Sequence, residues 1–487
     1  MTKSPARRAA LAFLGAIFCV AIYRAWTQPF SHDEAFMWDR YLAAPAAGIF
    51  TRFAAENHFL HTLLAKLSQL AFGNSPFALR LPGLLAAAWF FNTIYRSMFR
   101  AAGETWGAVT GVALLALNPV VLDFLIICRG YGLALALFAA GLAQLVEYFS
   151  GSAMRRSQLW KAGPAIALSV TANLTFAVPS LAVSAIFAGL VFLDREDKRK
   201  LVSLSRFAAS AGLVAAAFAV ASPIRHARKR HFFVGAHSAL QSLWNMIDIA
   251  IRHNSTLWID WRNPPAPNGW TKLVAFVILP LVLAAFAIAC AKLYPAAKRS
   301  GIRTLNSGQL LIILSGGILL IATVLLIGLH HLTGLLYPIE RTGLYMQLLI
   351  GLLVIAIPSA FPNAGLGKMF GKIWIILPVA FVMLFVSQME TSYFSVWRYD
   401  ADTRAMLDRI PVRKAPAQLG ASWEFEPVIN YYRRTSMPWV APVGRSGPDG
   451  QYDFYMLTPW DQALLDQRGL KVVVRAPISQ AVLAIAP

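Results

Sequence analysis

Charge is what this sequence has least of. Only 14% of its residues are charged and 57% are hydrophobic, whereas a soluble domain of this size carries about 25% charged residues. That shortfall excludes an ordinary soluble enzyme. Acids are the scarcer sign, 23 Asp and Glu against 44 Lys and Arg. Cysteine is nearly absent: Cys19, Cys128 and Cys290 sit in or beside apolar runs without CxxC spacing, which argues against a disulfide framework or a structural zinc site. No internal repeat is visible, and that counts against the paired halves of many transporters.

What the chain has instead is long apolar runs. Residues 310–329 and 344–360 approach the ~20 residues that cross a bilayer, and mean hydropathy is +0.55. The runs predict eleven spans, at 9–25, 80–98, 105–122, 131–149, 161–177, 179–193, 205–222, 271–291, 309–329, 342–360 and 373–390. The net charge of +21 does not point to nucleic acid, because Lys and Arg gather between the spans. Alternate loops hold Arg96/Arg100, Arg155/Arg156/Lys161, Arg195/Lys198/Arg199/Lys200, Lys298/Arg299/Arg303 and Lys368/Lys372, which predicts a cytoplasmic N-terminus and an outer C-terminus in the inner or plasma membrane. No small-x-small cleavage site follows the first run, so it reads as a retained helix.

Three segments do not read as spans. Residues 26–79 form an outer loop in which the stripe Phe59, Leu63, Leu64, Leu67 and Leu70 predicts an amphipathic helix at the interface. The outer loop 223–268 is basic, with Arg225, Arg228, Lys229, Arg230, Arg252 and Arg262, and reads equally as a solvated loop or as a surface for anions. Residues 391–487 have soluble composition and predict a small outer domain, with a helix at 426–434 and strands at 452–457 and 471–475. The expected fold is thus an all-α polytopic membrane domain, 1–390, followed by a small α/β extracytoplasmic domain, 391–487.

With so few acids, their placement is informative. Asp33, Glu34, Asp39, Glu56, Asp123, Asp248, Asp260, Glu340 and Glu390 fall at the predicted outer face. So do all nine histidines: His32, His58, His61, His226, His231, His237, His253, His330 and His331. The densest patch is Ser31-His32-Asp33-Glu34. Adjacent carboxylates resist ionising together, which can leave one as a base, and helical geometry turns neighbours about 100° apart, so one of the two would face a substrate. A solvated acidic loop is the plainer alternative. Arg129 interrupts an apolar stretch, where a charge needs a partner, and Arg341 stands at the mouth of the tenth span. Each reads either as a snorkelling or locally paired charge or as a phosphate fork.

These residues carry a resemblance. Ser31-His32-Asp33-Glu34-Ala35 resembles the acidic motif in the first outer loop of the GT-C superfamily of membrane glycosyltransferases, which includes protein O-mannosyltransferases and the lipid A aminoarabinose transferase. Asn57-His58-Phe59-Leu60 stands where many members have a His-Pro-Pro-Leu-like segment, with Phe59-Leu60 departing from the Pro-Pro. Residues 72–82, FGNSPFALRLP, are similar to a G-x-S-x-x-A-x-R-L-P stretch; Cys128-Arg129-Gly130-Tyr131 and Tyr337-Pro338-Ile339-Glu340-Arg341-Thr342 resemble the family's Arg-x-Tyr and late arginine elements.

The resemblance implies a polyprenyl-phosphate-linked sugar as donor, an extracytoplasmic acceptor in a cell-envelope glycan, lipid or protein, and inverting transfer in the bilayer. Asp33 would be the base, Glu34 its support, and Arg129, Tyr131, Arg341, Asn57, His58 and Arg80 the donor-phosphate and substrate contacts. No cofactor is required on this pattern; a divalent metal held by His32, Asp33 and His58 stays open. Competing readings are a lipid-pyrophosphate oligosaccharide ligase, which the basic loop partly fits, and a transporter or flippase for a lipid-linked saccharide.

Overall fold

A computed structural model describes residues 4–150, 155–228, 231, 232, 234–251, 268–361 and 365–487. Helix α1 (Pro5–Thr27) starts where Ser4 accepts the Arg7 amide and Pro5 occupies the first turn, a position that needs no amide donor. The acidic motif follows as a short helix, α2 (His32–Met37). The predicted amphipathic helix forms as α3 (Phe59–Phe72); it buries His61, Thr62, Ala65 and Ser68 and exposes Leu67 and Leu70. That polarity, polar face inward and apolar face outward, suits a helix bordering lipid rather than water.

Helix α4 (Pro76–Ala102) is capped by Ser75, whose hydroxyl accepts the Ala78 N–H at 3.2 Å. At about 1.5 Å per residue it runs for some 40 Å and ties the two ends of the bundle together. The span expected at 105–122 is broken. Asn118 accepts the Val121 N–H at 3.2 Å and Pro119 starts a new helix, so α5 (Trp106–Ala116) and α6 (Pro119–Ile126) meet at a bend of 60°. Helix α7 (Gly130–Phe149) is the centre of the bundle, 83% of its apolar window being buried.

Helix α8 (Leu159–Ala172) has 14 residues, about 21 Å, short of the ~30 Å hydrocarbon core. Asn173 ends it and accepts the Thr175 N–H at 3.0 Å, turning the chain into α9 (Ala177–Leu193). Helix α10 (Lys200–Ala221) lies at the rim with Leu213 and Val220 exposed. The remaining apolar segments are Gly269–Ser300, Ser307–Thr333, Glu340–Ala360 and Gly365–Ser387. Among the described residues nine helices are long and apolar enough to cross a membrane, ten with the bent pair, where eleven were expected. The shortfall is α8. Exposed apolar rims of this extent are what a multi-pass membrane protein presents to lipid.

The basic clusters collect at one end of the bundle and are partly neutralised there: Arg156 pairs with Asp197 at 2.7 Å, Arg303 with Asp194 at 3.0 Å, and Arg100 and Arg155 share Glu147 at 3.6 and 3.2 Å. The acidic motif lies at the other end of α4. Over it packs a four-stranded sheet of order β1-β2-β4-β3, formed by β1 (Leu419–Ala421), β2 (Phe454–Leu457), β3 (Lys471–Arg475) and β4 (Val482–Ile485). β1 and β2 are parallel and the other pairs antiparallel. The expected helix appears as Glu426–Thr435, and the expected strand 452–457 begins two residues late. Phe30, Ala35, Met37, Trp38 and Tyr41 share one buried cluster with Val428, Ile429, Tyr431 and Met456.

Candidate active site

Glu34 is locked. It sits three residues into the capping box of Ser31, and its Oε2 accepts the Ser31 N–H at 2.9 Å and the Ser31 hydroxyl at 3.0 Å. Its Oε1 accepts the Cys128 N–H at 2.6 Å, and Arg80 forks onto both oxygens at 2.8 and 2.7 Å. The other Arg80 donors go to the carbonyls of Ala25, Gln28 and Pro29 at 3.1, 2.9 and 2.8 Å. All five guanidinium N–H groups are thereby used, and neither side chain has any solvent exposure. Burial alone would raise the Glu34 carboxyl, but the charge and hydrogen bonds of Arg80 outweigh it and hold the group below its usual range. Arg80, expected as a substrate contact, instead has no donor left for one.

Asp33, one residue earlier, turns the other way. Its side chain is one-fifth exposed, and its Oδ2 lies 3.3 Å from Arg341 Nη2 and 3.7 Å from Arg129 Nη2. Arg129 also donates to the Asp33 carbonyl at 3.3 Å. Burial would raise the Asp33 carboxyl; Arg341 first, then Arg129, His32 and a Trp397 hydrogen bond, more than reverse this and leave it below the usual carboxylate range.

Both arginines are aimed by the local chain. Arg129 is the extended residue before α7, so its charge adds to the positive end of that helix. The next residue must be glycine: a Cβ at Gly130 would stand 2.0 Å from the Ala172 carbonyl and 2.6 Å from the His58 Cβ. Arg341 follows Glu340, a non-glycine residue in the left-handed region at φ 44°. Thr342 accepts the Ile339 N–H at 2.7 Å and Asn245 accepts the Glu340 N–H at 2.7 Å, bonds that hold the strained turn. The Arg341 guanidinium lies 5.9 Å over the Trp397 ring.

The expected His-containing segment frames this pair. The His58 ring packs edge-on to Tyr131 at 4.9 Å, and its Nε2 has no hydrogen-bond partner. Burial, with Arg129 beside it, pushes His58 well below its ordinary value, and His61 is pushed down to about 3 by burial and Arg129. Two neutral imidazoles thus leave the arginine charges undiluted. Asn57 turns from the site and donates to the carbonyls of Ile49 and Arg52 at 3.0 and 3.3 Å.

His32 does not join Asp33 and His58 in a ligand set. Its Nδ1 donates to the Glu424 carbonyl at 2.6 Å, and its Nε2 lies 3.4 Å from Arg445. Among the described residues no group of three His, Cys, Asp or Glu side chains could hold a metal. His32, Asp33 and His58, the candidate ligands for an ion that the sequence left open, thus do not form a shared ligand set.

Two contributors escaped sequence reading, Trp397 and Asp400. Asp400 Oδ2 accepts the His32 N–H at 2.7 Å, fixing the start of α2; burial, with Asp33, Glu34 and Glu424 nearby, pushes its carboxyl well up despite that bond. Neither residue belongs to a motif. Of the basic outer loop, Lys229, Arg230, Arg252 and Arg262, with His253 and Asp260, lie outside the described residues.

Comparison with solved structures gives the fold a precedent. The chain is similar to apo ArnT from Cupriavidus metallidurans at 12% identity and TM-score 0.54, covering 99% of this chain and 98% of that one. Lower-scoring matches are the same enzyme bound to undecaprenyl phosphate (14% identity, 98% and 97% coverage, TM-score 0.43) and the arabinosyltransferase EmbB from Mycobacterium smegmatis (12%, 84% and 45%, TM-score 0.36). No family model and no curated protein sequence matches. The chain shares its fold with ArnT over nearly the full length of both proteins.

Proposed function

We propose that this chain is an inverting glycosyltransferase that moves a sugar from a polyprenyl-phosphate carrier to a hydroxyl acceptor at the outer membrane face. One observation carries the reading: a partly exposed carboxylate, Asp33, faces two arginines, Arg341 and Arg129, at a helix N-terminus. A base, an anion cradle and a nonpolar surround are what displacement of a lipid phosphate from a sugar requires. ArnT has been seen with undecaprenyl phosphate, the class of carrier proposed here.

Asp33 is itself the anion between the two arginines. A donor phosphate competes for Arg129 and Arg341, and as their charges turn to it the Asp33 carboxylate is relieved of the groups that depress its pKa. It becomes a stronger base as the leaving group is engaged. Asp33 then takes the acceptor hydroxyl proton; that oxygen bonds to the anomeric carbon while the carbon–phosphate oxygen bond breaks from the opposite side. The electron pair leaves on the lipid phosphate, where the arginine forks stabilise it in a medium of low dielectric. Glu34 and Arg80 act on neither reactant; they hold the backbone that presents Asp33.

The test is Asp33→Asn assayed with a polyprenyl-phosphate sugar. Transfer should fall by about 10²–10⁴ while the lipid still binds; an unchanged rate would remove Asp33 from the mechanism.

A further inference from the structure

A cavity lies at the end of the bundle opposite the acidic motif. Its volume is about 380 Å³, and it lies between α4, α7 and α8. Arg80 and Arg100 mark the two ends of α4, about 30 Å apart, so this cavity is separate from the Asp33 site. Its wall grades from apolar to basic. Leu137, Ala140 and Leu168 line the inner part, and Arg96, Arg100 and Lys161 the outer rim. Glu147 also lines it, but that carboxylate is shared by Arg100 and by Arg155. Arg96 and Lys161 are exposed and have no carboxylate partner among the described residues. Gln144 Oε1 is buried in the same wall and meets no donor, an acceptor left open for a bound group.

We propose that this cavity is a binding site for an anionic phospholipid of the leaflet at the basic end, with the acyl chain along Leu137, Ala140 and Leu168 and the phosphate at Arg96 and Lys161. Three features select this occupant. Trp89, an exposed apolar side chain midway along the spanning helix α4, lines the cavity; the rim is positive beyond what Glu147 neutralises; and the buried Gln144 acceptor matches a headgroup that carries a hydroxyl donor. A free phosphate would leave the apolar wall uncovered, and a zwitterionic lipid would leave the rim charge unmatched. The proposal does not rest on the transferase reading, and sugar transfer is not its readout.

The experiment uses the full chain in bilayer discs of phosphatidylcholine containing phosphatidylglycerol, with retained lipid measured by native mass spectrometry. One phosphatidylglycerol per chain should survive release from the disc. Arg96→Gln with Lys161→Gln removes two exposed charges and should weaken retention by roughly 30-fold. Ala140→Leu, which fills the wall and leaves the charge intact, should also expel the lipid. Equal retention of phosphatidylcholine, undiminished phosphatidylglycerol in the charge variant, or displacement of phosphatidylglycerol by undecaprenyl phosphate at equal mole fraction would each overturn the assignment.

Discussion

Replacing Glu34 by Gln separates the two neighbouring acids. The Glu34 carboxylate accepts five hydrogen bonds, from Ser31 N–H and Oγ, Cys128 N–H, and Arg80 Nε and Nη2. An amide cannot serve them: whichever way it turns, its NH₂ faces two or three donors, and Arg80 is left buried without a counter-charge. Breaking a fully buried pair in this way costs about 3–5 kcal/mol. Asp33→Asn, by contrast, alters a carboxylate that is one-fifth exposed and held at 3.3 and 3.7 Å by two nearly buried arginines, and should cost less, about 1–3 kcal/mol. The assay is unfolding in detergent followed by tryptophan fluorescence. Because the folded Glu34 pKa is depressed, its contribution is complete above the unfolded carboxylate value of about 4.3 and is lost as pH falls through the folded value. The gap between wild type and Glu34→Gln should therefore close in acid. A Glu34→Gln protein that keeps the wild-type midpoint but loses transfer would refute this division and return Glu34 to the substrate.

Three other outcomes are expected. Arg341→Ala should raise KM for a polyprenyl-phosphate donor by roughly 10–100-fold, as loss of a charge-assisted fork implies, with Arg341→Lys intermediate; equal effects in donor titrations would argue against bidentate contact. Since Asp33 is held below the usual carboxylate range by Arg341 and Arg129, the acid limb of kcat/KM should lie below about pH 3.9 and move upward in Arg341→Gln. Gly130→Ala, which drives a Cβ to 2.0 Å from the Ala172 carbonyl, should cost about 1–3 kcal/mol, seen as a lowered unfolding midpoint.

Apolar run length made most of the spans legible, because a bilayer demands it of any helix that crosses. It carried the helix expected at 161–177 too far, where Asn173 ends α8 at Ala172, since hydropathy does not register a side chain that ends a helix. The motif residues Asp33, Arg129 and Arg341 do converge. Glu34 and Arg80 carried the same sequence signal yet form a sealed pair, and only a helical turn of about 100° tells them from their neighbours. Asp400 touches His32 from 368 residues away, and Trp397 stacks beneath Arg341; no local pattern could announce either. The small sheet was half visible, since β1 and β4 are three or four buried residues without alternation.

The contacts between α2 and the segment after residue 395 set a schedule for biosynthesis. Ribosomes add about 5–20 residues per second, so roughly 20–70 s separate the emergence of Asp33 from that of Trp397. Throughout that interval Phe30, which ends against Tyr431 at 4.3 Å, and the His32 amide, which ends on Asp400, have no partners to meet. Chains cut short before Asp400 carry Asp33 and both arginines yet lack the clamp that orients the acid, and their uncovered aromatics are what membrane quality control would meet first.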